Sequence, residues 1–208
     1  MIDTSKRFGR IAAIIAIVGL TVLAAAGCGQ QQAAGHASAA ASTDGASVSA
    51  ARTGTISSAD AAPMGDAVPA GATIDRSTNQ IIFSGKDVQF DVVGSPQGQR
   101  DLTFRIAGLV NPTIVLPQGA AVRVRFVNAD PTMPHDFVLV SALTTFPPVP
   151  ASRAAFAGAV TSVLTAPSQG RMNEQVISFT AAATGNYTYL CTVPGHAAGG
   201  MHGSLVVQ

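Results

Sequence analysis

The chain has 208 residues, with 12 Lys and Arg against 11 Asp and Glu, and charged residues make up only 11% of it; it lacks the basic footprint of a nucleic-acid binder. Two cysteines exclude a disulfide-rich scaffold, a four-cysteine zinc site and a cysteine-ligated iron–sulfur cluster. The 47% hydrophobic content suggests a membrane bundle only at first sight, because much of it is alanine gathered in the first third and in one later stretch.

In chain order, the first element is a targeting segment. Lys6, Arg7 and Arg10 form a basic start, and residues 11–26 are a continuous apolar run relieved only by Gly19 and Thr21. That run falls short of the roughly 20 residues a spanning helix needs. Ala25-Ala26-Gly27-Cys28 closes it and resembles the lipobox of bacterial lipoproteins, with Ala25 where leucine is usual. The resemblance implies a signal peptide over residues 1–28 and lipidation at Cys28. An ordinary signal with an incidental cysteine and an uncleaved short anchor are the other readings, and all three place the remainder outside the cytoplasm.

Residues 29–71 read as a disordered tether. The stretch holds Gln30-Gln31-Gln32, an Ala/Ser/Gly/Thr run, four charges (Asp44, Arg52, Asp60, Asp66) and no aromatic residue. Such a composition buries too little apolar area to offset backbone ordering. About 40 flexible residues reach roughly 35 Å. His36 in this segment reads as a solvated linker residue.

From residue 72 to 208 the pattern changes to short alternating runs. Val88, Phe90 and Val92 alternate with Gln89 and Asp91; Leu102, Phe104 and Ile106 with Thr103 and Arg105; Val122, Val124 and Phe126 with Arg123 and Arg125. Further strands are expected over 81–83, 113–116, 136–140, 175–180, 186–191 and 204–207, separated by turns such as Gly94-Ser95-Pro96 and Asn111-Pro112. The expectation is one all-β sandwich domain. Over residues 151–166, Phe156, Val160 and Leu164 recur every four positions between prolines, which predicts a short amphipathic helix inserted in a loop.

The chemistry concentrates near the C-terminus. Cys191, His196 and Met201 are spaced five and five in a Gly/Pro-rich loop after a strand. Thiolate, imidazole and a weak thioether suit copper cycling between Cu(I) and Cu(II), and a second imidazole is available from His135 in Met133-Pro134-His135-Asp136. Two imidazoles, a thiolate and an axial methionine form a blue-copper electron-transfer set. Each residue alone has a bland alternative: an inert buried thiol, a core imidazole, a loop-packing methionine. Cys191 has no disulfide partner within the folded region, since the other cysteine is Cys28.

Asn128-x-Asp130 through His135, followed by Cys191-x₄-His196-x₄-Met201, resembles the cupredoxins, and within them the rusticyanin and sulfocyanin type. The resemblance covers about residues 104–208, and the string Val193-Pro194-Gly195-His196-Ala197-Ala198-Gly199-Gly200-Met201 carries most of it. It implies a Greek-key β-sandwich holding one type 1 copper, with no enzymatic turnover and the second imidazole's edge as electron port. It also implies a role for Asn128 and for the residue after the first ligand in organising the copper loops. That residue is Asp136, where many cupredoxins have Asn and the rusticyanin type has Ser; a carboxylate there favours Cu(II) and lowers the potential. His202, next to Met201, reads as a surface residue or a competing ligand.

The implied role is extracytoplasmic single-electron transfer by a monomer. Its partners would be transient redox proteins such as a cytochrome or terminal oxidase, and its membrane contact would be the lipid on Cys28 alone. The alternative is a cell-surface copper protein for storage, delivery or tolerance. A multicopper oxidase or nitrite reductase needs further histidines beside Cys191, where Leu190 and Thr192 stand, and a CuA centre needs a second loop cysteine.

Overall fold

The computed structural model describes residues 51–208 except residue 151; the expected signal, Cys28 and the tether up to residue 50 lie outside the described residues. The described elements are β1 (Arg52–Ser57), α1 (Ser58–Ala61), β2 (Ala72–Asp75), β3 (Gln80–Phe83), β4 (Asp87–Gly94), β5 (Phe104–Ile106), β6 (Leu109–Val110), β7 (Thr113–Leu116), β8 (Ala120–Asn128), β9 (Val138–Ser141), β10 (Arg171–Ala181), β11 (Gly185–Leu190) and β12 (His202–Val207). They form two six-stranded sheets, ordered β1-β10-β8-β4-β5-β6 and β2-β3-β7-β12-β11-β9.

Alternation builds the sandwich. In β8, Val122, Val124 and Phe126 are buried, Arg123 is exposed and Arg125 is half-buried. Parallel β4 sets Val88 against Val122 and Val92 against Phe126, while antiparallel β10 sets Ile177 against Val124 and Phe179 against Val122. The outward Arg125 is held by Glu174 of β10 at 2.7 Å. In the second sheet β12 runs parallel to β7 and antiparallel to β11. The parallel pairs arise because the chain crosses between sheets instead of returning directly, as a Greek-key layout requires.

Between the sheets, Phe104 meets Phe126, Phe137 and Tyr189 edge-on with centroids 6.2, 5.7 and 5.6 Å apart, and Phe137 stacks on Tyr189 at 5.5 Å. Cys191 and Met201 belong to the same buried cluster. The core therefore continues directly into the floor of the candidate site.

Two expectations are corrected. The tether does not extend to residue 71: residues 52–57 are β1, an edge strand paired with β10 from Arg52↔Val176 to Ser57↔Arg171. An edge strand gains its backbone hydrogen bonds from one neighbour and leaves most side chains in water, so a Thr/Gly/Ser sequence without apolar alternation forms it. Ser57 then caps α1, accepting the Asp60 N–H at 3.1 Å. Ala61 and Met64 bury against Val93, Val127 and Ala129, sealing the outer face of the first sheet. Arg105 donates to Asp66 at 2.7 Å and ties this segment to β5.

The helix expected over 151–166 is absent among the described residues. The segment instead lies extended against residues 135–139. His135 and Leu164 exchange both backbone hydrogen bonds (3.0 and 2.8 Å), Leu139 donates to Ala159, and Thr161 donates to Phe137. Gly158, at φ +84°, breaks any helical continuation. Phe156 still reaches inward, stacking on Phe179 at 5.8 Å, and Leu164 is buried, but Val160 is exposed, so the four-residue spacing does not mark one helical face. The free backbone groups of residues 135–139 need partners; this strap supplies them.

Candidate metal centre

Three donor atoms converge from two loops. His135 Nδ1 lies 3.0 Å from His196 Nδ1; Cys191 Sγ lies 3.7 Å from the first and 3.5 Å from the second. A point equidistant from all three is about 2 Å from each, close to a metal–imidazole bond length. His135 and Cys191 are fully buried, and His196 retains 8% of its surface. Two buried imidazole nitrogens facing one another beside a thiol leave room for an ion and offer it two nitrogen donors and one sulfur. Those donors fit copper.

The ligand loop is closed by its own backbone. Cys191 N–H donates to Met201 O at 3.1 Å, and Met201 N–H donates to His196 O at 2.9 Å. Met201 is fully buried in the core cluster that contains Cys191. Gly94 makes space for it: a Cβ there would lie 3.3 Å from Met201 Cε and 3.1 Å from the Phe126 ring. His135, Cys191 and His196 are thus brought together, and Met201 lies on the same loop as two of them, in the core cluster that holds Cys191. His202 is not part of the donor group. It stacks face to face on Phe146 with centroids 3.6 Å apart, and burial lowers its pKa.

The first histidine is oriented by its own loop. Asn128, wholly buried at the end of β8, donates through Nδ2 to the carbonyls of Met133 (2.9 Å), Leu164 (2.9 Å) and Thr165 (3.1 Å). It touches no donor atom; it knits the His135 loop to the strap. Asp130 accepts from Thr132 N–H and Met133 N–H through Oδ1, and its Oδ2 lies 3.0 Å from His135 Nε2. A carboxylate there accepts the Nε2 proton, leaving the Nδ1 lone pair toward the metal point. Burial works to raise the Asp130 pKa; the hydrogen bonds from His135, Thr132 and Met133 outweigh it and hold the carboxyl below its usual range. In the sequence Asp130 stands only inside a motif; its one signal is a carboxylate five residues before a candidate ligand.

Asp136 faces the cysteine loop. Its Oδ1 accepts Thr192 N–H at 2.6 Å and its Oδ2 accepts the Thr192 hydroxyl, so both oxygens act as acceptors. The backbone N–H groups of Asp136 and Val193 lie close enough to Cys191 sulfur to favour its thiolate. Burial pushes the metal-free Cys191 thiol up to about 12; those N–H groups lower it, and the Asp136 charge raises it further. Without a metal the group therefore stays a protonated, unreactive thiol at neutral pH. Burial and the neighbouring His135 lower the His196 pKa, which favours the neutral ring a metal needs.

The family model for the sulfocyanin (SoxE) domain matches residues 78–208. The chain belongs to the sulfocyanin family. Rusticyanin of Acidithiobacillus ferrooxidans is 30% identical to it over 132 residues, 64% of this chain and 83% of that protein. Rusticyanin of Acidithiobacillus ferridurans shows the same identity over 69% of its length. Among solved structures, reduced rusticyanin at 1.9 Å superposes with a TM-score of 0.65 at 25% identity, covering 76% of this chain and 100% of that one. The 1.27 Å structure of rusticyanin from Thiobacillus ferrooxidans gives 0.64 at 26% identity, covering 76% of this chain and 97% of that one. The domain is a cupredoxin of the rusticyanin and sulfocyanin type, a family of type 1 copper electron carriers and not of enzymes.

Proposed function

We propose that this sulfocyanin-family chain is an extracytoplasmic single-electron carrier that holds one copper through His135, Cys191, His196 and Met201, and that lipid on Cys28 anchors it to the membrane. The observation that carries the reading is the buried triangle of two Nδ1 atoms and one Sγ. Copper bound there supplies a one-electron couple between Cu(I) and Cu(II).

The residues divide the remaining work. Asp130 holds the His135 ring in one tautomer, and Asn128 and the strap hold that loop. The Cys191–Met201 and Met201–His196 backbone bonds fix the other loop on β11 and β12. Donors anchored this way keep their positions whichever charge the site carries, which keeps reorganisation small. His196 is the donor with an edge at the surface, among exposed Pro194, Gly195, Ala198 and Gly199. An uncharged patch of small residues suits brief docking by a redox protein such as a cytochrome or a terminal oxidase. The burial of His135, Cys191 and Met201 supports carriage of electrons over storage or delivery of copper, which needs solvent-accessible donors.

Stoichiometric copper loading of the domain, followed by absorption and EPR, tests the reading. An intense thiolate-to-Cu(II) band with narrow copper hyperfine splitting is the expected result. A colourless Cu(II) form with rapid surrender of copper to acceptors sinks it.

Asp136 sets the sign of a further expectation. A carboxylate beside the thiolate stabilises the more positive oxidised site. At an effective dielectric near 20, a nearby unit charge is worth about 2–4 kcal/mol, or on the order of 100 mV for one electron. Asp136→Asn keeps an acceptor for the Thr192 N–H and removes the charge. Voltammetry should show the potential rising by that amount; an unchanged or lower value contradicts the electrostatic account.

A further inference from the structure

The Met201 end of the ligand loop is held from outside both ligand loops, and we infer that Asn111 is a positioning residue for Met201. The inference deepens the copper reading and rests on it for the role of Met201 as ligand.

Asn111 sits in the turn between β6 and β7 at φ +45°, a left-handed conformation that asparagine tolerates better than most residues. Its backbone N–H donates to Phe104 O at 2.8 Å, and its side-chain Oδ1 accepts Phe104 N–H at 2.8 Å. Those two bonds close the turn onto β5. The side-chain Nδ2 leaves the turn altogether and donates to Gly200 O at 2.8 Å, 89 residues away in the chain.

Gly200 is the residue before Met201, so its carbonyl and the Met201 N–H belong to one peptide plane. That plane is held at both ends: Asn111 Nδ2 and the His202 N–H (2.9 Å) bind the carbonyl, and the Met201 N–H binds His196 O at 2.9 Å. A peptide plane is rigid, so fixing its two ends fixes the direction in which Met201 leaves the backbone. Gly200 lies at φ +116°, where a side chain is strained, and a Cβ on Gly199 would lie 2.6 Å from Leu102 Cδ1. The loop therefore packs closely on Leu102, beside the Asn111 anchor. Neither Asn111 nor Gly200 touches a donor atom of the triangle; the action is through Met201.

The test separates the turn from the ligand. Asn111→Asp keeps the acceptor for Phe104 N–H and the tolerance for positive φ, but sets a carboxylate oxygen against Gly200 O. Asn111→Gly keeps the conformation and removes the side chain without adding charge. Gln169→Gly is the control: Gln169 also lies at positive φ (+51°), exposed in the turn before β10, with no hydrogen bond to Asn111 or to the ligand loop. In the metal-free protein, amide hydrogen exchange at Met201 and Cys191 should quicken about tenfold in both Asn111 variants and stay at the wild-type rate in the control. In the copper-loaded protein, both Asn111 variants should release copper about tenfold faster, the lower end of what outer-shell partners cost, with altered relative intensities of the visible bands.

Unchanged Met201 exchange in both variants overturns the inference. Faster exchange with unchanged copper release and spectrum also overturns it, reducing Asn111 to a clamp on the turn. If the wild-type protein forms no blue centre, the copper reading falls separately, and with it the role of Asn111 in positioning a copper ligand, while the exchange data still decide whether Asn111 holds the loop.

Discussion

Replacing Cys191 by serine should abolish the visible charge-transfer band of the copper-loaded domain while the metal-free protein keeps its fold. The hydroxyl is close in size to the thiol and keeps the backbone N–H groups of Asp136 and Val193 as near neighbours. The buried position gains a more polar group, and the stability cost should stay within the ~1–3 kcal/mol typical of burying a hydroxyl. The chemistry changes far more. A serine hydroxyl does not ionise at neutral pH and is a hard donor, so the site keeps two imidazoles and loses its soft, anionic ligand. Cu(I) affinity should fall by more than Cu(II) affinity, and by more than the about 10–100-fold that loss of an outer-shell partner costs. EPR should return to the wide hyperfine splitting of ordinary Cu(II). Cys191 is the single cysteine among the described residues, so no other thiol there can restore the band. A variant that stays blue, or a wild type whose colour does not depend on Cys191, contradicts the assignment of the thiolate.

The same two loops show which parts of the molecule are legible in one dimension. Cys191, His196 and Met201 declare themselves because they lie on one loop and their spacing is itself the geometry. His135 is 56 residues upstream, and a Met-Pro-His string after an alternating strand was enough to find it. Strands such as β4, β8 and β10 read clearly because one face is buried and the other is wet. β1 does not, because an edge strand is held mainly by its backbone and asks little of its side chains. The strap over 152–168 misled for the opposite reason: Phe156 and Leu164 are apolar because they reach the core from an extended chain, and their helical spacing carries no helix. Asp130 and Asn111 act through hydrogen bonds whose partners the topology chooses. Asn111 reaches a carbonyl on a loop that no local pattern connects to it.

A glycine shows the same limit with a larger consequence for stability. Gly203 of β12 lies directly opposite Tyr189 of β11, and a Cβ on it would enter the tyrosine ring, 2.8 Å from Cε2 and closer still to Cζ and the hydroxyl. The ring has nowhere to retreat. It is fully buried, stacked on Phe137 at 5.5 Å, met by Phe104 at 5.6 Å, and its hydroxyl donates to Pro112 O at 2.5 Å. Overpacking of this kind costs about 1–3 kcal/mol, and displacing the ring enough to break the Pro112 bond leaves two buried polar groups unpaired for a further ~1–3 kcal/mol. Gly203→Ala should therefore cost about 3–5 kcal/mol in urea unfolding of the metal-free protein and lower Tm by roughly 10 °C. Tyr189→Leu removes the ring edge, so the double variant should be less destabilised than the two single changes added together, by more than about 1 kcal/mol. Additive effects, or a Gly203→Ala cost below about 1 kcal/mol, contradict the clash. The contact also bears on the metal point. Tyr189 stands two residues before Cys191 and Gly203 two after Met201, and their pairing sets the register that ends in Leu190↔His202 and the Cys191–Met201 bond. Pushing the strands apart at Tyr189 pulls on the thiol and the thioether together, so the copper-loaded Gly203→Ala protein should show broadened EPR lines as well as lower stability.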